Sequence, residues 1–374
     1  MSKARPLQSK LTSLDSALAE LFDGQNPVEA MSMPLVKANG YIAAEMPILD
    51  TPQPIQNLAT LDGWALASLD LVGASSYSPV PLRQSPQWVE VGDALPKGCD
   101  CVLRPDLVEH HGPLMQVLAE AGPGQGARRV GEDIAAGRPI VLAGRRLCAT
   151  DLLALSAIGC DAVMIRAPNL RLIDLGSSER IGLTSEFIAG MARETGAHVT
   201  VKTVSRDAQA VTDALTHATS DFVVLVGGTG SGRADCATQA LEHAGTLIAH
   251  GLAIQPGETT AVARCGDVPV VALPGQPGPA LAAYLFLVQP VLDHLSSRLP
   301  RQGMALPISR KIASTVGVAE IALVRREADT WQVLAVGDFS LDHVRMADAW
   351  LAIGGDSEGY AAGTSVEAFP LRTT

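Results

Sequence analysis

The chain has 374 residues, 47% of them hydrophobic and 18% charged, with a formal net charge of -11. That length exceeds one ordinary core, so two to four domains are expected, and the composition is that of a folded globular protein. The acidic balance argues against a nucleic-acid partner, whose phosphates demand basic faces, and 4% aromatic residues supply no base-stacking platform.

In chain order, Leu11 to Leu21 has helical spacing, with Thr12 or Ser13 as its cap. No amino-terminal stretch has signal-peptide character and no apolar run is long enough to cross a bilayer, so the expectation is the cytoplasm, without membrane contact. A second helix is expected over Met33 to Glu45, before Pro47, Pro52 and Pro54 mark a boundary. From about Ile55 to Arg129 short strands alternate with Pro, Gly and Asp: Trp64 to Ala67, Gln87 to Val91, Cys101 to Arg104 and Leu114 to Leu118. That rhythm suggests a small β domain. Cys99 and Cys101, with His110 and His111 downstream, make a metal site conceivable. Isolated intracellular cysteines are more often small buried hydrophobes.

A helix over ATDLLALSAIG and a strand over DAVMIR follow. From Asn169 to Leu295 strands and helices then alternate. The strands are Leu170 to Leu175, His198 to Val204, Phe222 to Val226, Leu247 to Ile254 and Val268 to Leu273. The helices are Thr184 to Thr195, Asp207 to Ala218, Cys236 to His243 and Ala280 to Leu295, with Pro279 suited to the first position of the last and Pro290 to a kink. This order predicts a multidomain α/β plus β protein whose central element is a doubly wound, mostly parallel sheet. The tail after Pro300 returns to β character, as in Ile321 to Val324 and Trp331 to Val336.

Two corners of the α/β region carry the chemical expectation. At Asp221 to Asp235, DFVVLVGGTGSGRAD, a buried strand stops at Gly227-Gly228, passes through Gly230, Ser231 and Gly232, and meets a helix near Asp235. Strand, glycine turn and helix start together let main-chain N–H groups face an anion. It is neither a Walker A loop nor a dinucleotide fingerprint. About forty residues on, VPVVALPGQPGP ends a second strand in Pro274, Gly275, Gln276 and Pro277. Both corners are expected on the carboxyl edge of one sheet, where open α/β folds bind ligands.

The chain resembles the molybdopterin molybdenumtransferase family, MoeA and the gephyrin E domain, nearly end to end. LATLDGWAL (Leu58 to Leu66) resembles the family's SAMDGYAV block, and VGDALPKGCDCVLRPDLVE (Val91 to Glu109) its TGAPLPxGADAVVxxE block. ARRVGEDIAAG (Ala127 to Gly137) is similar to RxxGEDIxxG, GGTGSGRAD (Gly227 to Asp235) to GGVSxGDxD, and LPGQP (Leu273 to Pro277) to LPGNP.

The resemblance implies a discontinuous first domain at 1–54 and 130–166, an inserted β domain at 55–129, a MoaB/MogA-like α/β domain at 167–300 and a β domain at 301–374. It implies homodimers with a cleft between subunits, and hydrolysis of adenylylated molybdopterin with Mg²⁺ as molybdate enters the dithiolene. Such chemistry needs carboxylates, positive groups and oxyanion donors. Position by position, Asp62, Asp133 and Asp235 match the family's carboxylates, Asp235 also as the Mg²⁺ ligand. Arg128 and Arg129 would supply positive charge, and the two corners would bind substrate.

Departures cluster at charged positions. Ser177 and Ser178 stand for an Asp and a Glu, Arg206-Asp207 for an Asp pair, Gln255 and Glu258 for two lysines, Gly230 for a Ser and Gln276 for an Asn. The arginine of the family's tail motif is not evident around Gly317-Val318. Two expectations follow: a divergent transferase, or a relative that carries a pterin or nucleotide phosphate for a molybdoenzyme without catalysis.

Overall fold

The computed structural model describes residues 11–112, 114–176, 181–216, 220–232 and 235–372. Ser177 and Ser178 lie outside them. The described residues form two compact units: one within Met1–Glu45, Ala143–Leu152 and Asp161–Thr374, the other within Met46–Leu142 and Leu153–Cys160. This division is coarser than the four domains expected from the sequence.

In the first unit a six-stranded sheet runs in the order His198–Val204, Asn169–Leu175, Phe222–Val226, Val268–Leu273, Ala261–Cys265, Thr246–His250. Its first four strands are parallel, Ala261–Cys265 runs antiparallel to them, and Thr246–His250 pairs antiparallel with Ala261–Cys265 in turn. The central strand explains why FVVLV is apolar throughout, since both its faces are covered. Phe222, Val224 and Val226 join one core with Leu172, Val271 and Leu281. Val223 and Leu225 join another with Val211, Leu241 and Val270. Each fully buried side chain of this size contributes about 1.5–3 kcal/mol.

Helix Leu183–Glu194 packs on the first face, and helices Ala208–Thr216 and Ala237–Ala244 on the second. From Asn169–Leu175 the chain crosses to one neighbour and then returns to the other side. The topological switch point therefore lies between Asn169–Leu175 and Phe222–Val226, beside the first glycine corner.

Several expectations need correction. Ser13 caps the first helix, Leu14–Phe22, by accepting from the Ser16 N–H at 3.3 Å. No helix covers Met33 to Glu45. Met31–Pro34 is a strand paired with Ala162–Arg166, Leu35–Lys37 is one 3₁₀ turn, and Ile42–Ala43 pairs on the far side of Ala162–Arg166. Pro34 removes a helix donor, and the pairing partner lies too far along the chain for local pattern to reveal.

The segment Leu247 to Ile254 divides into Thr246–His250 and the separate strand Ile254–Gln255. Strand Ala261–Cys265 was not foreseen. The last long helix starts at Pro277 with Gln276 as its cap, three residues before the expected start. It widens into a π turn at Tyr284–Val288 before Gln289–Leu295. Pro290 cannot donate and its ring crowds the carbonyl four residues back, so the expected kink is accommodated as a wider turn.

Strand Ile254–Gln255 runs parallel to Ala319–Glu327 and opens a second sheet with Ala349–Ile353, Ser365–Pro370 and Met304–Pro307; Thr330–Val336 also pairs with Ala319–Glu327. This tail sheet holds the chain around Gly257 in place.

The second unit is built of short antiparallel strands, including Gly63–Leu66 between Gln87–Val89 and Cys101–Leu103. Leu66, Leu71, Cys101, Leu103 and Val117 form its core.

Candidate anion-binding cleft

The two corners expected on one rim are side by side. Val226 is in register with Leu273 across the parallel pair, and the Gly227 N–H donates to the Leu273 carbonyl at 2.9 Å. A Cβ at Gly275 would lie 3.5 Å from the Gly227 Cα. Gly227 and Gly228 have φ of +95° and +71°, where side chains are strained. At Gly228 a Cβ would also meet the Leu175 Cδ1 at 2.9 Å.

Buried hydrogen bonds fix these corners from behind. The Thr184 hydroxyl, at the start of helix Leu183–Glu194, donates to the Gly275 carbonyl at 2.8 Å. The His250 Nε2 bonds the Thr229 carbonyl at 2.9 Å, and since a carbonyl only accepts, that nitrogen carries the proton. The Thr229 hydroxyl lies 3.2 Å from that of Thr259. Thr260, fully buried, donates its hydroxyl to the Gly257 carbonyl at 2.6 Å and adds a third corner. Asp174, 4% exposed, accepts from the Gly182 N–H at 2.9 Å and the Ser185 hydroxyl at 2.5 Å.

Together these corners surround a cleft of about 540 Å³. Of the residues expected from the sequence, Gly227, Gly228, Gly230, Asp235, Pro274, Gly275 and Gln276 line it. Ser231, Gly232 and Pro277 belong to the same corners but do not line it. Among the described residues, its charged groups are Arg206, Asp235 and Glu258. Arg206 is anchored by donating from Nε to the Leu175 carbonyl at 3.0 Å.

Among the described residues, the main-chain N–H groups of Gly228, Thr229, Gly230, Gly275 and Gln276 reach no acceptor. Five such donors around one concavity, with a guanidinium beside them, suit phosphate or another oxyanion. Asp235 is not the cap of the following helix, a place held by Cys236. Its Oδ2 accepts from the Gly232 N–H at 2.9 Å and closes the glycine loop.

Thr229, Gly257, Glu258, Thr259 and Pro279 also line the cleft. Of these, Glu258 drew notice in the sequence as a departure and Pro279 only as a helix start. The Gly257 corner was legible only through the substituted lysine positions Gln255 and Glu258, because it projects from a connection between sheets.

The remaining expected residues belong to the second unit. Asp62 is exposed and accepts from the Val91 N–H at 2.8 Å. Asp133 and Arg128 form a half-exposed ion pair at 3.1 Å. Arg129 bonds the Pro123 carbonyl through its guanidinium, and its N–H donates to Glu132 at 2.7 Å.

The conceivable Cys/His metal site is not formed. Burial pushes the Cys101 thiol up to about 12, and Asp100 acts in the same direction. The thiol donates to the Leu66 carbonyl, while His110 packs against Trp64 and His111 pairs with Glu109. No cluster of three metal-binding side chains occurs among the described residues.

An α/β sheet opening an anion-suited cleft at its switch point, in one chain with a small β unit, defines a class that the family models make specific. Residues 176–294 match the probable molybdopterin binding domain, and residues 12–159 the MoeA N-terminal region, domains I and II. A putative molybdopterin biosynthesis protein of Methanocaldococcus jannaschii is 22% identical over 98% of both chains. Molybdopterin molybdenumtransferase 2 of Mycobacterium tuberculosis is 23% identical over 95% of this chain and 97% of that one.

The crystal structure of the molybdopterin biosynthesis MoeA protein from Pyrococcus horikoshii shares the fold, with a TM-score of 0.75 at 23% identity over 96% of this chain and 100% of that one. The chain belongs to the molybdopterin molybdenumtransferase (MoeA) family, as a divergent member.

Proposed function

We propose that the chain acts in molybdenum cofactor biosynthesis as a molybdopterin molybdenumtransferase. It binds adenylylated molybdopterin, hydrolyses the AMP–pterin phosphoanhydride, and inserts molybdate into the dithiolene. The observation carrying this reading is the set of unpaired main-chain donors where the two corners meet. They are oriented before substrate arrives, so charge developing on phosphate oxygens is met without reorganisation. Arg206 adds the positive charge that Gln255 and Glu258 do not supply.

Asp235 keeps the loop in its binding shape. Asp62 and Asp133 are proposed to assist the attacking water, and Arg128 and Arg129 to hold substrate. Asp235 and Glu258 both line the cleft, which suits Mg²⁺ held by one or two carboxylates together with substrate phosphates; bound there, the ion would neutralise phosphate charge. We further propose the division into four domains, a cytoplasmic homodimer, and delivery of the finished cofactor to a molybdoenzyme.

Complementation of a strain lacking the transferase, scored by molybdoenzyme activity, tests the reading. Rescue at near-normal molybdate is the expected result. Binding of adenylylated pterin without turnover would instead make the chain a carrier, and absence of both would end the proposal.

A further inference from the structure

Away from the glycine cleft, a second pocket of about 210 Å³ opens between the end of the last long helix and the last strand of the tail sheet. Its lining carries three guanidiniums, Arg298, Arg301 and Arg372, against one carboxylate, Glu194. Arg301 is already paired, its Nε and Nη2 lying 2.6 and 2.9 Å from the Asp293 carboxylate. Arg298 is not. Its side chain is only 17% exposed, and its Nε is 3.9 Å from the Asp293 Oδ1, beyond hydrogen-bond reach. Its guanidinium finds no acceptor among the described residues.

Burial and then Arg301 hold the Arg298 pKa below its ordinary value, with Arg146 acting the same way and Asp293 only partly offsetting them. The Arg146 Nε is itself buried without a hydrogen-bond partner among the described residues. Among the described residues, three guanidiniums thus face this pocket with Glu194 and Asp293 as the carboxylates beside them.

Gln289 supplies an independent observation. It is 8% exposed, lines this pocket, and its carboxamide makes no protein hydrogen bond among the described residues, so its polar atoms are left to whatever fills the pocket. It directly follows the widened turn Tyr284–Val288, which sets the helix face on which it falls. A tetrahedral dianion offers acceptors to carboxamide and guanidinium at once.

We infer that this pocket binds a small oxyanion of phosphate or molybdate type between Arg298, Arg301 and Gln289. The volume leaves room for such an anion and a few waters, each taking about 30 Å³. The inference is independent of the function proposed for the cleft, because it concerns a different pocket.

The test is titration of the full chain with sodium phosphate and, separately, sodium molybdate at low chloride, followed by calorimetry and thermal midpoint. Arg298→Gln and Gln289→Leu are expected each to weaken anion binding by at least tenfold and to remove the phosphate-induced rise in midpoint, while rescue of the transferase-deficient strain is kept. Equal binding by wild type and both folded variants overturns the inference. So does a shift to monomer in Arg298→Gln with phosphate binding unchanged, which would mean that a second copy's carboxylate fills the pocket. Crystals soaked in molybdate give the answer without mutation. An anomalous peak beside Arg298 supports the site, and its absence at saturating molybdate removes it.

Discussion

The glycine cleft and the region of Asp62, Arg128 and Asp133 are made of different materials. In the cleft, ligand-facing groups are largely main-chain donors, held from behind by buried Thr184, His250 and Thr260. In the second unit the candidate groups are exposed side chains bonded to near neighbours. A site built on backbone is rigid and breaks when a side chain intrudes. A site built on exposed charges tolerates substitution structurally, so a lost activity there reads as chemistry.

The largest stability effect is expected at Asp174→Ala, which strips the Gly182 N–H and the Ser185 hydroxyl of their buried acceptor. Denaturant unfolding should show a loss of about 3 kcal/mol. A loss below about 1 kcal/mol would mean that the cleft is not held from behind as described.

Gly228→Ala comes next, since it combines positive φ with contact on Leu175. Strain of about 2 kcal/mol is expected, with pterin binding by calorimetry weakened about thirtyfold. Unchanged binding would place the pterin elsewhere. Asp235→Ala frees the Gly232 turn and should weaken binding about fivefold, or about 1 kcal/mol. Asp235→Asn should keep part of that hydrogen bond and fall between.

Asp133→Ala sharpens the contrast. Removing a half-exposed ion pair should change stability by no more than about 0.5 kcal/mol, yet abolish rescue if Asp133 assists hydrolysis. Intact rescue would remove it from the mechanism.

The smallest effect near neutrality concerns Cys101. Its folded-state pKa is raised from 9.0 to about 12, so the native state holds the thiol proton more tightly than the unfolded chain. Its stability contribution is complete below pH 9 and falls as pH rises towards 12. Cys101→Ser should flatten that alkaline decline in unfolding curves, and an unaltered slope would refute the assignment.

Legibility in the sequence followed the range of the interactions. Strands Phe222–Val226 and Val268–Leu273 fall where the pattern put them, because burial on both faces forces continuous apolar runs, and the edge strand His198–Val204 does so through its alternating HVTVKTV pattern. The helix expected over Met33 to Glu45 is not formed, and strand Met31–Pro34 overlaps its start, because the partner Ala162–Arg166 is distant in the chain. Ala261–Cys265 was missed although it pairs beside Val268–Leu273, for its short AVARC run carries little strand signal alone. Ser177 and Ser178, set against an acidic pair, fall outside the described residues.

By itself the sequence determined the doubly wound sheet and the two corners at its carboxyl edge. Glycine, proline and apolar runs act through local sterics and burial, which neighbouring residues suffice to specify. Only the tertiary structure decided that Thr229, Gly257 and Thr259 complete the cleft, that Asp235 closes a loop instead of capping a helix, and that Arg298 and Gln289 share a pocket. Those outcomes depend on which side chains meet across the sheet and along the tail. Hydrogen bonds between distant segments decide that, and no local pattern encodes them.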